Sequence, residues 1–436
     1  MLYTTPMQTL PWYLWLLVPG FFIGVATVTV VIISLFASWG RRAQGFELQG
    51  ATGLCDEHFY RALTAITAAP VEWGGRPLVL HNGDGIFPAV FDAIRTAQHS
   101  VHIMVFIWND GTLSDALLSL LTERARAGVA VRLLIDSLGG IRAPDAKFIA
   151  LQSAGGVVEW YRRIEFGKLT RFHKRNHRRS IVVDGRVAFT GGMSVSDEWL
   201  GNAQSPAFWR DVMFQVDGIL AQRLQDAFVQ SWHAATGEIL GGAEYFPSFA
   251  PQDDVRFMSL VASPSDDVHP IRTLFWMSLE AAERSITIAS AYFVPDEIIR
   301  NILMDKARSG VRVRVLAPSN HTDMPPVQWA GRYYYAEMID AGVEIAEYQP
   351  TMFHSKFMVI DGRWSIVGSA NMDVRSKELN EENVFAIDDT VLADELTAAF
   401  DADMPKATLM TPAAWHKRGA WWRLKEAFSA LFTEQF

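Results

Sequence analysis

The sequence predicts an α/β protein made of two copies of one α/β unit, preceded by a single transmembrane helix. Strand-like runs alternate with helical runs of 10 to 15 residues, the pattern of βα units in a largely parallel sheet. Phrases from the first part of the chain recur in the second, at separations of 185 residues (Ser100, Ser285), 182 (Gly128, Gly310) and 177 (His177, His354). A slowly shrinking offset is what a duplicated unit with small deletions leaves, and two copies this large are no solenoid. Finally, the first forty residues contain no Asp, Glu, Lys, Arg or His. With 436 residues, half of them hydrophobic and 20% charged, the chain can bury a sizeable core.

In chain order, residues 1–43 come first, with an almost wholly apolar run from Trp12 to Trp39. Its 28 residues exceed the roughly 20 that one span needs. Pro19-Gly20 marks a kink or the helix start, and Trp12, Trp15 and Trp39 suit the interfacial belts. A cleaved signal peptide is the competing reading, but it calls for a basic leader and a shorter core. A retained single-pass anchor is therefore expected. Arg41-Arg42 follow at once and place the large domain on the cytoplasmic side of a bacterial-type inner membrane.

Residues 44–240 are expected to form the first half. After a polar linker, LVLHNGDG reads as a strand and turn, and Ile86 to Gln98 has helical spacing. VHIMVFIW (strand), LSDALLSLLTERARAG (helix) and VAVRLLIDS (buried strand) follow. Residues 241–410 repeat this: ERSITIASAYF resembles QHSVHIMVFIW, and DKARSGVRVRVLAPS resembles ERARAGVAVRLLIDS. The boundary falls in the Gly/Pro-rich stretch Gly241 to Pro251.

One spacing pattern carries chemistry. His177, Arg179 and Asp184 lie ahead of Gly191-Gly192 and Ser194; His354, Lys356 and Asp361 lie ahead of Gly368-Ser369 and Asn371. A strand alternates its side chains, so each histidine and its cation two residues on point the same way and reach one phosphate. Histidine changes charge near neutral pH and serves as nucleophile, acid or base. The cation supplies charge-assisted hydrogen bonds, and small turn residues let the backbone approach a ligand. Two such sets in one pocket suit phosphoryl transfer, with one histidine attacking phosphorus and the other protonating the leaving oxygen.

The net charge of −9 argues against a nucleic-acid partner. Yet eight Lys/Arg fall between Arg162 and Arg179 against one acid, Glu165. They read either as a solvated face or as a cationic approach (Lys174, Arg175, Arg178) for anionic headgroups. A single cysteine, Cys55, excludes an intramolecular disulfide and a thiolate zinc cluster. No cofactor or metal is expected. Trp108, Trp160, Trp199 and Trp209 fit the core better than a lipid path, and His99, His269 and His321 have no partner at motif spacing.

The paired motifs resemble the phospholipase D superfamily signature H-x-K-x4-D-x6-G-[GS]-x-N, most closely that of bacterial cardiolipin synthases. GLCDEHFYRAL, LVLHNGDG, VFIWNDG, AGVAVRLLIDSLGG, WRDVMFQVDG and NMDVRSKELNEEN carry the same resemblance, over about residues 50 to 400. It implies duplicated α/β/α sandwich halves with one shared active site. It implies that His177 forms a phosphohistidine and His354 is the general acid. Arg179 and Lys356 would then bind phosphate, helped by Ser194 and Asn371, and Asp211 and Glu382 would orient the histidines. Asp184 and Asp361 belong to the motif as supports near the strand-to-turn junctions. Two residues depart from the signature: Arg179 stands in place of Lys and Ser194 in place of Asn.

The implied activity is a phosphatidyltransferase acting on phospholipids from a phosphatidylglycerol-like donor. A hydrolytic phospholipase D, a nucleic-acid phosphodiesterase and a lipid-binding protein with a decayed first half-site are the alternatives. In the tail, residues 411–436, Trp421, Leu424, Phe428, Leu431 and Phe432 share one helical face near Lys417, Arg418, Arg423 and Lys425. That face suits either a bilayer interface or packing on the catalytic domain.

Overall fold

β-branched runs and amphipathic helices alternate as expected, and each copy folds into its own mixed sheet. The computed structural model describes residues 20–22, 24–25, 29, 47–50, 53–163, 174–263 and 269–433, without the side chains of 377 and 378. The expected span at 12–39 lies outside the described residues except for a few helical positions between Gly20 and Thr29. Among the described residues no helix is long and apolar enough to cross a membrane. Leu48–Phe436 forms one unit by its internal contacts.

The strands, in chain order, are β1 (Val71–Gly74), β2 (Leu78–His81), β3 (Ser100–Val105), β4 (Ala130–Asp136), β5 (Val157–Tyr161), β6 (Ser180–Val183), β7 (Val187–Gly191) and β8 (Val212–Asp217). The second copy adds β9 (Val255–Ala262), β10 (Ser285–Ala289), β11 (Arg312–Pro318), β12 (Glu344–Tyr348), β13 (Phe357–Ile360), β14 (Trp364–Gly368), β15 (Glu382–Asp388) and β16 (Ala407–Leu409). The first sheet has the order β2-β8-β7-β6-β3-β4-β5. The second repeats it as β9-β15-β14-β13-β10-β11-β12, with β1 and β16 added at its edges. Residues 57–74 therefore serve the second sheet: β1 pairs with β9, and Phe59 and Tyr60 pack edge-on against Trp364.

The sheets are mixed rather than largely parallel. Among the described strands only β3-β4-β5 and β10-β11-β12 pair in parallel, because helices cross over between them. The motif strands β6-β7 and β13-β14 are joined by tight turns at Asp184-Gly185 and Asp361-Gly362, and tight turns make antiparallel pairs. A second correction concerns Asn82-Gly83-Asp84, which is the first turn of helix Asn82–Thr96 rather than a separate turn. Asn82 adopts φ +53°, and its N–H donates to the carbonyl of Asp211, bending β2 directly into the helix.

The first motif strand, β6, buries both faces. Ile181 and Val183 of β6 meet Ile86, Val90, Leu117 and Leu121 of the covering helices, whereas Val182 faces the other way. There it joins Val212, Phe214 and Val216 of β8, together with Phe257, Phe357, Phe385 and Ile387 of the second sheet, in one apolar cluster. At about 1.5–3 kcal/mol for each large buried side chain, this shared core joins the halves firmly enough to hold a composite site.

Candidate active site

The two histidines sit just before β6 and β13, where the chain crosses to the opposite half. Asn176 bridges to Glu381, with His177 N–H donating to the Glu381 carbonyl at 2.9 Å. Arg210 bridges to Phe353, with His354 N–H donating to the Arg210 carbonyl at 2.7 Å. The sequence reading puts each histidine on the motif strand, but that strand starts three residues later, so neither histidine lies within a strand proper. Each enters on an extended segment that pairs with the other copy.

That crossing exchanges the carboxylates. His177 Nδ1 lies 2.8 Å from Glu382 Oε1 of the second half, and His354 Nδ1 lies 2.8 Å from Asp211 Oδ2 of the first. Both carboxylates are buried and further fixed. Glu382 accepts from the Ser369 hydroxyl and from Asn380 Nδ2 at 3.3 Å. Asp211 accepts from the Trp199 indole at 2.8 Å and from the Val212 N–H at 2.7 Å. Each of these buried bonds fixes a ring orientation.

The cations meet the opposite ring nitrogens. Arg179 Nη2 is 2.8 Å from His177 Nε2, and Lys356 Nζ is 3.3 Å from His354 Nε2. A guanidinium only donates, so His177 Nε2 accepts, and the ring proton sits on Nδ1 facing Glu382. The lone pair needed for attack on phosphorus is therefore on Nε2. Ser194 Oγ accepts from Arg179 Nε at 3.2 Å, and Asn371 Oδ1 accepts from Lys356 Nζ at 2.8 Å. These two residues hold the cations. Buried Arg179 Nη1 has no partner among the described residues, a donor suited to a phosphate oxygen.

Burial and crowded positive charge set the protonation. His177 is held well below the usual imidazole range by burial, then by the charges of Arg179 and Lys356. His354 is lowered to about 4 by burial and Lys356, against the pull of Asp211. Lys356 is lowered to about 7 by burial and by Arg179. Burial pushes Glu382 up to about 8, against the hydrogen bond from Ser369 and the charge of Arg179. An anion between the two cations reverses the cationic contribution, so ligand binding itself raises the histidines toward the range for proton transfer.

Asp184 and Asp361 are not brought to this site. They stand at the far ends of β6 and β13 with φ +53° and +54°. Asp184 accepts from the backbone N–H groups of Gln98, His99 and Ser100 at 2.7–2.8 Å, and Asp361 from Glu283, Arg284 and Ser285 at 2.7–2.9 Å. They fasten the starts of β3 and β10. The turn glycines serve the scaffold as well: a Cβ on Gly192 would stand 2.4 Å from the Asp211 carboxylate, so the missing side chain gives Asp211 its room.

The basic run also resolves differently. Arg175 and Arg178 are buried, with Arg175 3.5 Å from Asp136 and Arg178 3.7 Å from Glu381. They brace the strands and cannot collect headgroups. Lys168, Arg171 and His173 lie outside the described residues. Trp108 and Trp199 are core, and Trp209 stacks obliquely on His354 at 5.2 Å. Sequence reasoning missed Trp199, Ser369 and Asn380 as carboxylate partners. It also missed Tyr292, whose ring centroid is 5.8 Å from Lys356 Nζ and whose hydroxyl bonds Asp323 at 2.7–2.8 Å. Their positions relative to the repeated motif were the only available signal.

Residues 90–232 and 277–404 match the family model described as cardiolipin synthase, PLD-like domain. The chain is 32% identical over 391 residues to a probable cardiolipin synthase of Bacillus subtilis, covering 89% of this chain and 78% of that one. It is 38% identical over 320 residues to a cardiolipin synthase of Geobacillus thermodenitrificans, covering 72% and 64%. In fold it is similar to the phosphatidylserine synthase of Haemophilus influenzae, with a TM-score of 0.68 at 12% identity, covering 87% of this chain and 100% of that one.

Proposed function

Given that the chain belongs to the cardiolipin synthase family with the phospholipase D-like domain, we propose that it is a phosphatidyltransferase working on membrane phospholipids through a phosphohistidine. The observation that carries this reading is the exchange of carboxylates: His177 is oriented by Glu382 and His354 by Asp211, with a cation at each Nε2. Such a site needs both halves, and it offers two imidazoles to one phosphodiester.

His177 Nε2 attacks the phosphorus of a phosphatidylglycerol-like donor, forming a P–N bond as the P–O bond to the headgroup glycerol breaks. The leaving oxygen takes the proton from His354 Nε2. The hydroxyl of a second lipid then gives its proton back to His354 and attacks phosphorus, releasing His177. Arg179 and Lys356 hold the nonbridging oxygens, while Ser194 and Asn371 hold the cations. One phosphodiester replaces another, so the exchange needs little energy input.

In the same reading, residues 1–43 are the anchor, a single helix over about 12–39 with the catalytic domain on the cytoplasmic face of the membrane. Residues 44–240 and 241–410 supply the two halves, except that residues 57–74 are lent to the second sheet. Purified full chain incubated with phosphatidylglycerol vesicles is expected to yield cardiolipin and glycerol by mass spectrometry. Phosphatidic acid without cardiolipin would overturn transfer in favour of hydrolysis.

A further inference from the structure

The helix Ala420–Ala430 is inverted relative to an ordinary surface helix. It packs beside helix Pro325–Tyr333, yet the residues it buries are Glu426 and Ser429. The Glu426 carboxylate is closed off by Arg418 Nη2 at 2.6 Å. Outward stand Trp421 (64% exposed), Leu424 (60%), Phe428 (62%) and Leu431 (65%), with Trp422 at 41%. A soluble helix turns its apolar stripe to the core, and an exposed cluster of this size marks a contact surface.

Charge selects the occupant. From Lys417 to Leu431 the cations are Lys417, Arg418, Arg423 and Lys425, and the one acid, Glu426, is buried and paired, within a chain of net charge −9. Lys425 Nζ lies 5.4, 4.9 and 5.1 Å from the ring centroids of Trp421, Trp422 and Trp329, so one cation gathers three indoles at the patch. A two-fold contact between copies through this face would set Lys417, Arg423 and Lys425 against themselves. Phosphate headgroups would instead neutralise them while the indoles and aliphatic groups sit at the acyl boundary. We propose that this helix is a membrane contact in its own right, lying in the headgroup layer of an anionic bilayer.

The test uses full-length protein reconstituted in vesicles of equal parts phosphatidylglycerol and phosphatidylcholine. Phe428→Cys carries an environment-sensitive dye. Cys55 stays unlabelled, because it is buried and burial pushes its thiol up to about 12. The expected result is blue-shifted emission quenched by nitroxide lipids placed near the headgroups. Emission typical of water would overturn the proposal. So would a shielded dye that the nitroxide does not reach, which would mean that a second copy or residues 1–46 cover the face. Leu424→Asp with Phe428→Asp is expected to lower turnover of vesicle lipid roughly tenfold while leaving turnover of dispersed short-chain substrate unchanged. Equal loss on both substrates would also overturn it. The choice of phosphatidylglycerol rests on the lipid-substrate reading, but the dye reports insertion without catalysis, so the two can fail separately.

Discussion

In the second half-site, Lys356 reaches His354 and is held by the long amide of Asn371. In the first, Arg179 reaches His177 and is held through Nε by the short hydroxyl of Ser194. The same trade appears behind the rings. Asp211, one methylene shorter than Glu382, fills the space left by Gly192, whereas Glu382 meets the hydroxyl of Ser369 at the matching position. The copies preserve the combined reach of each pair rather than its residues. Arg179 and Ser194, which look like decay when each is compared with the signature alone, are in geometry a matched pair.

The largest effects should come from breaking the site across the halves. His177→Ala and His354→Ala are each expected to lower cardiolipin formation on the order of 10³-fold. The double variant should be little worse than either single one, because the residues act as a unit. Independent half-sites would instead leave substantial activity in each single variant. Asp211→Asn and Glu382→Gln are expected to cost on the order of 10²-fold in kcat, each disabling the histidine of the opposite half. Unchanged kcat in either would remove its orienting role.

The matched pair gives a sharper test of the comparison. Arg179→Lys alone is expected to lose about tenfold in kcat/KM, from one charge-assisted contact. Adding Ser194→Asn should recover part of that loss, with a coupling of roughly 1 kcal/mol in the double-mutant cycle. A gain on Arg179→Lys alone would instead mark the native first half-site as impaired.

For pH, a lysine lowered to about 7 loses its charge above that point, so kcat/KM is expected to fall on the alkaline side with a midpoint near 7. Lys356→Arg should move that limb to higher pH, and an unmoved limb would assign it to another group. The smallest effect on catalysis is expected at the motif aspartates. Asp184→Asn should lower stability by about 2 kcal/mol in denaturant melts, leaving activity per folded molecule unchanged.

Much of this was legible in the sequence because duplication prints each functional position twice. Asp211 and Glu382 came only from the resemblance to the family, whereas the histidines and their cations could be named from spacing alone. Which carboxylate serves which histidine could not, since it depends on the crossings at Asn176–Glu381 and Arg210–Phe353, separated by 205 and 143 residues. The parallel sheet was misread for a local reason: Asp184-Gly185-Arg186 and Asp361-Gly362-Arg363 are three-residue connections, and only a longer crossover keeps strands parallel. Arg175 and Arg178 were misread because a charge run reads as solvated until its partners, Asp136 and Glu381, are brought in from elsewhere in the chain. The tail offered two readings, bilayer or packing, and the helix does pack, through its polar side.

The central claim is that one pocket, built by both halves, passes a phosphatidyl group through His177. Acid-free quenching of the full chain within its first turnover on phosphatidylglycerol, followed by peptide mass spectrometry, tests it most directly. A phosphatidyl adduct on the peptide carrying His177, lost in His177→Ala, is the expected result. An adduct on His354 instead, or product formed at full rate with no adduct on either histidine, would contradict the account.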